Sequence, residues 1–286
     1  MRALWRRFGS LGSKKTEHSI QFLYQQPPVP NLGDILCTPK HYFSFSSDKR
    51  VLIVGGGAFN GLGAEQASNY EADHRISWAI GQSWRLDMSA QPLDRSRVFT
   101  TYARVTTRDP SIATDGIQLL PCVSALHSLP ATPVGTKKGI FLNQDINASG
   151  AGVDELLDKY KENGYLVASN AMSSSDFSKI FCQTQEIITN SYHAAYWGFL
   201  SGRAIKLIGY STKFYDLLRL FNQPQEFLIQ YQRGFSEGLS QALALAVNSP
   251  ALTATKHREY LNRFREMNIE FAYSLKSIGI RANYLQ

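Results

Sequence analysis

Several absences narrow the reading at once. No apolar run reaches the roughly 20 residues that a helix needs to span a bilayer, and the opening "MRALWRRFGSLGSKK" has no apolar core of the signal-peptide kind. Cysteine is scarce. Cys37, Cys122 and Cys182 are odd in number, far apart and include no CxxC pair. That spacing indicates neither a disulfide framework nor a zinc site, so the expectation is three reduced cysteines in a cytoplasmic protein with no bound metal. Charge is sparse as well, at 19% of residues, and no basic stripe with interleaved aromatics appears, which argues against nucleic acid as a partner. No repeat or low-complexity segment is evident.

What is present points to a folded enzyme. The 286 residues are 43% hydrophobic and 12% aromatic, enough for one large domain or two modest ones. Lysine and arginine outnumber aspartate and glutamate by 30 to 23, so the formal net charge of +7 favours an anionic partner. At the N-terminus Leu4, Trp5, Phe8 and Leu11 interleave with Arg2, Arg6, Arg7, Lys14 and Lys15. Residues 2–15 therefore read as a basic amphipathic or flexible arm, able to lie on an anionic membrane surface.

Short apolar runs alternate with helix-like segments along most of the chain. "IQFLY", "VLIVGGG", "ISWAIG" and "RVFTTYARVTT" read as strands, with "GDILCTPKHYF" and "GAEQASNYEA" as helices between them. "SLPATPVGTKKG", with two prolines and two glycines, reads as a linker, after which the cycle restarts. "IFLNQ", "YLVASNA", "EIIT" and "AIKLIGY" are strands; "GVDELLDKYKENG", "SSSDFSKIFCQ" and "SYHAAYWGFLSG" are helices. Such alternation predicts an α/β fold with two Rossmann-like parallel-sheet halves facing a cleft. The expected division is an arm at 1–18, an N-terminal acceptor half at 19–130 and a donor half at 131–222. Residues 223–286 are then C-terminal helices packing back across the halves. Beyond about residue 214 no strand is expected, only two long helices.

One histidine stands out. Thr189 ends a strand, Asn190 or Ser191 can cap the helix that follows, and His193 falls in its first turn. Open α/β folds place ligands at that edge of the sheet. Free backbone N–H groups and the helix dipole there attract phosphate, and a histidine can hold an anion or pass a proton. The other histidines, His18, His41, His74, His127 and His257, form no spaced pair, and only His127 is a candidate to face the cleft. "VGGGAFNGLG" fails the dinucleotide pattern GxGxxG in both frames, which argues against a nicotinamide enzyme and for a tight turn facing the cleft.

Taken in order, "PNLGDILC" (30–37), "LIVGGGAF" (52–59), "WAIGQS" (78–83), "VTTRDPSI" (105–112) and "NSYHA" (190–194) before "IKLIGYSTKF" resemble the ordered motifs of the polysaccharide pyruvyl transferase family. The resemblance spans about residues 30–213. It implies a GT-B-like fold and transfer of pyruvate from phosphoenolpyruvate to a sugar of a surface polysaccharide or lipid-linked precursor, forming a ketal and releasing phosphate. Phosphoenolpyruvate is then a donor substrate, with no cofactor. By this resemblance His193, Arg108 and Asp34 are the catalytic candidates. Arg108, Asn190, Ser191, Tyr192, His193, Ser211 and Lys213 would hold the donor, and Asn31, Gly33, Asp34, Gly56 and Gly57 the acceptor. Some members carry arginine two places before the histidine, where this chain has Ser191, and Lys213 is the candidate for the missing charge. A lipid-linked acceptor would give the arm a purpose on the inner face of the membrane. The alternatives are a nucleotide-sugar glycosyltransferase of the same architecture and a non-catalytic protein that binds acidic glycans.

Overall fold

The computed structural model describes residues 20–26, 29–57, 66–86 and 99–285. The basic arm lies outside the described residues, as does the stretch from Ala58 through Glu65. Two parallel sheets form, one in each half of the chain. In the first, β1 (Ile20–Leu23), β3 (Val51–Gly55), β4 (His74–Trp78) and β5 (Tyr102–Arg104) run in the order β1-β3-β4-β5. A parallel sheet is covered on both faces, so its central strands are apolar throughout. In β3, Val51 and Ile53 pack with Trp78 on one side, while Leu52 and Val54 pack with Leu23 and Ile80 on the other.

The second sheet holds β8 (Lys137–Leu142), β9 (Leu166–Ser169), β10 (Thr184–Thr189), β11 (Ala204–Gly209) and β12 (Ile229–Gln230) in the order β12-β11-β10-β8-β9, again all parallel. The fold is thus α/β, with two Rossmann-like parallel-sheet halves and helices toward the C-terminal end. Its helices start where the sequence puts capping groups. Ser173 accepts a hydrogen bond from the Asp176 N–H at the head of Ser174–Phe181, and that helix lays Phe177 and Phe181 against Phe141.

The C-terminal region departs from expectation. Two strands appear beyond residue 214: β12, which extends the second sheet, and β13 (Ile280–Tyr284), which pairs antiparallel with β2 (Phe43–Ser47). A two-residue strand carries no periodic signal, and β2 begins at Phe43, the last residue of what reads as one helix from Gly33. That helix stops at Leu36, because Pro39 cannot continue it. The first long C-terminal helix shrinks to Ser236–Asn248, since Pro224 and Gly234, the latter at φ 78°, break the preceding run. Lys213 opens a helix, Lys213–Leu220, where the sequence suggests a turn. No helix among the described residues is long and apolar enough to cross a membrane.

The helix His257–Ser274 joins the halves. Phe264 stacks on Tyr196 of the second half, whereas Phe271 meets Trp78 of the first edge-on at 4.8 Å. Asn268 lies between them with no exposed surface. Its Oδ1 accepts from Trp78 Nε1 at 2.9 Å, and its Nδ2 donates to the carbonyls of Pro121 and Phe264. Removing the amide strands a buried indole N–H and a buried carbonyl, each costing about 1–3 kcal/mol. Asn268→Leu is expected to lower unfolding stability by about 2–4 kcal/mol, read as an earlier midpoint in denaturant at unchanged slope. A loss under about 0.5 kcal/mol would show that this amide does not clamp the halves.

Candidate functional site

The helix Tyr192–Leu200 is buried at all nine positions, so it is apolar on every side and not only against the sheet. Its start is fixed locally. Thr189 Oγ1 accepts from the Ser191 N–H at 2.9 Å, and Ser191 Oγ faces the Ala194 N–H at 3.5 Å as the cap. His193 therefore sits in the first turn at the carboxyl end of β10, 5% exposed. Its ring packs against Tyr192 and Trp197, and its Nε2 lies 3.6 Å from Cys122 Sγ.

The first half closes directly on this ring. A Cβ at Gly33 would lie 2.0 Å from His193 Nδ1, so only glycine permits the approach. Asn31 caps the short helix Leu32–Leu36 by accepting from the N–H groups of Gly33 and Asp34, and the Leu32 N–H donates across to Asn170 in the second half. Asp34, 7% exposed, is wrapped by the glycine turn after β3. Gly56 and Gly57 both hold φ near +85°, and a Cβ on Gly57 would lie 2.8 Å from Asp34 Oδ1. The tight turn expected from "VGGG" is present and packs on Tyr24, Asp34 and Cys37 of its own half.

Arg108 completes the cluster. Its guanidinium lies 4.1 Å over the Tyr192 ring, and Gly81 leaves it room: a Cβ there would stand 2.5 Å from Nε. Asp109 Oδ1 is 3.9 Å from Nε, while Asp109 Oδ2 accepts the Gln82 N–H. Nε and Nη1 of Arg108 have no hydrogen-bond partner among the described residues, and neither does the Tyr192 hydroxyl. Burying a cation costs several kcal/mol, whereas a desolvated cation–π contact returns about 2 kcal/mol. Tyr192 and a carboxylate at 3.9 Å leave two of the guanidinium nitrogens without a hydrogen bond, so the group retains donors for an anionic ligand.

The surrounding acid–base chemistry follows from burial. Asp109 is pushed up to about 7 by desolvation and by Asp216, against the opposing charge of Arg108. Burial also drives the Tyr192 phenol upward. Burial opposes ionising Cys122, yet hydrogen bonds from Cys37 and His193 and the charges of His193 and Arg108 outweigh it and hold this thiol well below its usual range. Cys37 moves the other way, raised by burial and by its Cys122 neighbour.

The remaining candidates divide. Lys213 Nζ donates to the Tyr210 hydroxyl and lies over the Tyr210 ring, close enough for its charge to act on Asp109. Asn190 is fully buried and uses its amide to join the Asn143 N–H, Ser149 and Tyr231. Ser211 accepts from Ser83 across the halves at 2.9 Å. His127 accepts the Leu129 N–H within its own loop. Sequence reasoning missed Asp109, Cys37 and Cys122. The aspartate was in view beside Arg108, but the cysteines meet only in the fold, and their spacing along the chain carried no signal. A surface groove of about 370 Å³, lined by Ile20, Phe22, Lys40 and Phe43 among others, touches none of these groups.

No protein-family model and no curated protein matches the chain. Among solved structures, it is similar to a sucrose-phosphate synthase from Thermosynechococcus elongatus, at 10% identity and TM-score 0.43, over 80% of this chain and 73% of that one. It is also similar to the wall teichoic acid polymerase TagF, at 13% identity and TM-score 0.25, over 73% and 72%.

Two predictions follow from the geometry. Gly33→Ala drives a methyl into the His193 ring and is expected to cost about 1–3 kcal/mol, with a displaced imidazole signal in the NMR spectrum. An unmoved signal would remove the close contact. Asp109 holds a proton in the folded chain between about pH 4 and 7 that the unfolded chain has lost. Its contribution is therefore largest at low pH and falls as pH rises, by up to about 1.4 kcal/mol per unit. The stability difference between wild type and Asp109→Asn should fall across that window. A flat difference would contradict the raised carboxyl.

Proposed function

We propose that the protein is a transferase that moves a pyruvate unit from phosphoenolpyruvate to a sugar carrying two neighbouring hydroxyls. The observation that carries this reading is the buried Arg108 guanidinium, with Nε and Nη1 lacking a hydrogen-bond partner among the described residues, over Tyr192 at the helix start that also carries His193. Phosphoenolpyruvate brings a carboxylate and a phosphate. A guanidinium fork suits one of them, while Lys213 and the Tyr192–Leu200 helix start favour the other. The ordered motifs from Asn31 to Lys213 support the same donor.

The reaction balances without a cofactor. C3 of the donor takes a proton, for which His193 is the proposed acid, and C2 becomes electrophilic. One sugar oxygen bonds to C2 as Asp34 takes its proton, and the C2–O bond to phosphate breaks. The second hydroxyl then adds to C2, loses its proton and closes the ketal. Arg108 stabilises charge on the donor through these steps, and Asp109 orients Arg108.

The same two-sheet architecture suits a nucleotide-sugar glycosyltransferase, and one experiment separates the two. With phosphoenolpyruvate and glycan acceptors, inorganic phosphate should be released and the acceptor should gain one pyruvyl ketal in mass. Phosphoenolpyruvate should raise the melting temperature, and nucleotide sugars should not. The reverse pattern overturns the proposal. His193→Ala and Arg108→Ala should each lower turnover by about 100-fold or more with the fold intact. Near-normal rates in both would remove these residues from the site.

A further inference from the structure

Cys37 ends the short helix that starts at Leu32, Cys122 precedes the turn Val123–Leu126, and His193 belongs to the second half. The fold brings their ligand atoms within 4.8 Å of one another, all three residues being buried. We infer that these three side chains form a binding site for one divalent ion of the zinc class, leaving a fourth position for a non-protein ligand.

The distances fit. A tetrahedral ion about 2.3 Å from sulfur and 2.0–2.1 Å from nitrogen sets those two ligands about 3.6 Å apart. Cys122 Sγ and His193 Nε2 are 3.6 Å apart. The groups around the sulfurs fit as well, because ligands of a built metal site are themselves held by hydrogen bonds. The Gly57 N–H donates to Cys37 Sγ at 2.8 Å. Ser124 Oγ lies 3.2 Å from Cys122 Sγ and accepts from Trp197 Nε1, which leaves its own proton free to point at the sulfur. His193 is pinned between Gly33 and the Tyr192 and Trp197 rings, so its nitrogen is already in place.

The donor set selects the ion. Two thiolates and an imidazole suit zinc or cobalt and disfavour magnesium and calcium, which need oxygen ligands. Two thiolates also cancel the charge of a divalent cation, so the bound ion adds little net charge beside Arg108. Each thiol that arrives protonated releases its proton to solvent as the sulfur–metal bond forms. Three protein ligands with a fourth position open is the pattern of reactive sites and not of structural ones. The ligand set is argued without the donor, but the two readings meet at one residue: an imidazole that holds the ion through Nε2 cannot also give a proton to C3, so with the ion bound the acid of the pyruvate reading is a group other than His193.

The competing use of the pair is a disulfide, which needs an added oxidant such as peroxide and leaves His193 out. The test uses the full chain, reduced and freed of metal by a chelator under anaerobic conditions, and titrated with cobalt(II) alone. One equivalent should bind with a thiolate-to-cobalt charge-transfer absorption, and zinc should displace it. Cys37→Ser and Cys122→Ser should each weaken binding at least about 100-fold, whereas Cys182→Ser, which is outside the cluster, should bind as wild type does. Absence of that absorption in the wild-type chain overturns the assignment whatever the variants do. So does binding unchanged in both Cys37→Ser and Cys122→Ser, and so does a reduced chain that takes no cobalt yet forms a Cys37–Cys122 disulfide with peroxide.

Discussion

The structure is organised around a positive charge that is almost fully out of water. Arg108 is 2% exposed, and burial alone would make that placement unfavourable by several kcal/mol. What offsets the cost comes from both halves: the Tyr192 face from the second, and Asp109 with the short approach over Gly81 from the first. The backbone bends to deliver them. Ala79 adopts φ 50°, an uncommon conformation for a residue with a side chain, just where β4 ends. The Ile80 carbonyl beyond it then accepts both the Arg108 N–H and the Thr107 hydroxyl. Gly81 follows and lies flat on the guanidinium.

That constraint explains why the contacts between halves are built from small residues. Gly33 lies against His193, Ser83 meets Ser211, and the Trp84 N–H donates to Thr212. None of these buries a large side chain, so each contact is short in range and modest in energy. Apolar ties accompany them: Leu32, Leu36 and Leu129 of the first half join the second half's core, and the helix His257–Ser274 sets Phe264 in one core and Phe271 in the other. The long helix also reaches the site, since Phe264 stacks on Tyr196, Tyr196 stacks on Tyr192, and Tyr192 faces Arg108.

How much of this was legible depended on how local each signal was. In the second half the strands β8 to β11 and the helices Val153–Glu162, Ser174–Phe181 and Tyr192–Leu200 were readable, because apolar runs, serine caps and glycine stops lie within the element they define; the one-turn helix Ile146–Ser149 was not, and β8 begins at Lys137, inside what reads as a linker. His193 was found for the same reason: a strand end, a cap and a first turn are consecutive. The first half was harder. β2 was hidden because its partner, β13, is more than two hundred residues away, and pairing at that range leaves no mark in a local window. Asp109 reads as part of an Arg-Asp pair, but its shifted proton affinity comes from burial beside Asp216, which only the fold supplies. Cys37 and Cys122 looked like ordinary buried thiols for the same reason.

Ser191 shows how the local and the distant are coupled. A long basic side chain at that position would put its charge at the helix start from within the same element. Serine leaves that role open and caps the helix instead, and the buried Tyr192 ring next to it faces Arg108. The cation then comes from the other half, so the anion-attracting end of the helix is complete only when the halves meet. Lys213 lies at its own helix start, bonded to Tyr210, and its charge reaches the same carboxyl that faces Arg108. Under the pyruvate proposal these two cations, from separate elements and both acting on Asp109, would meet the two anionic groups of the donor.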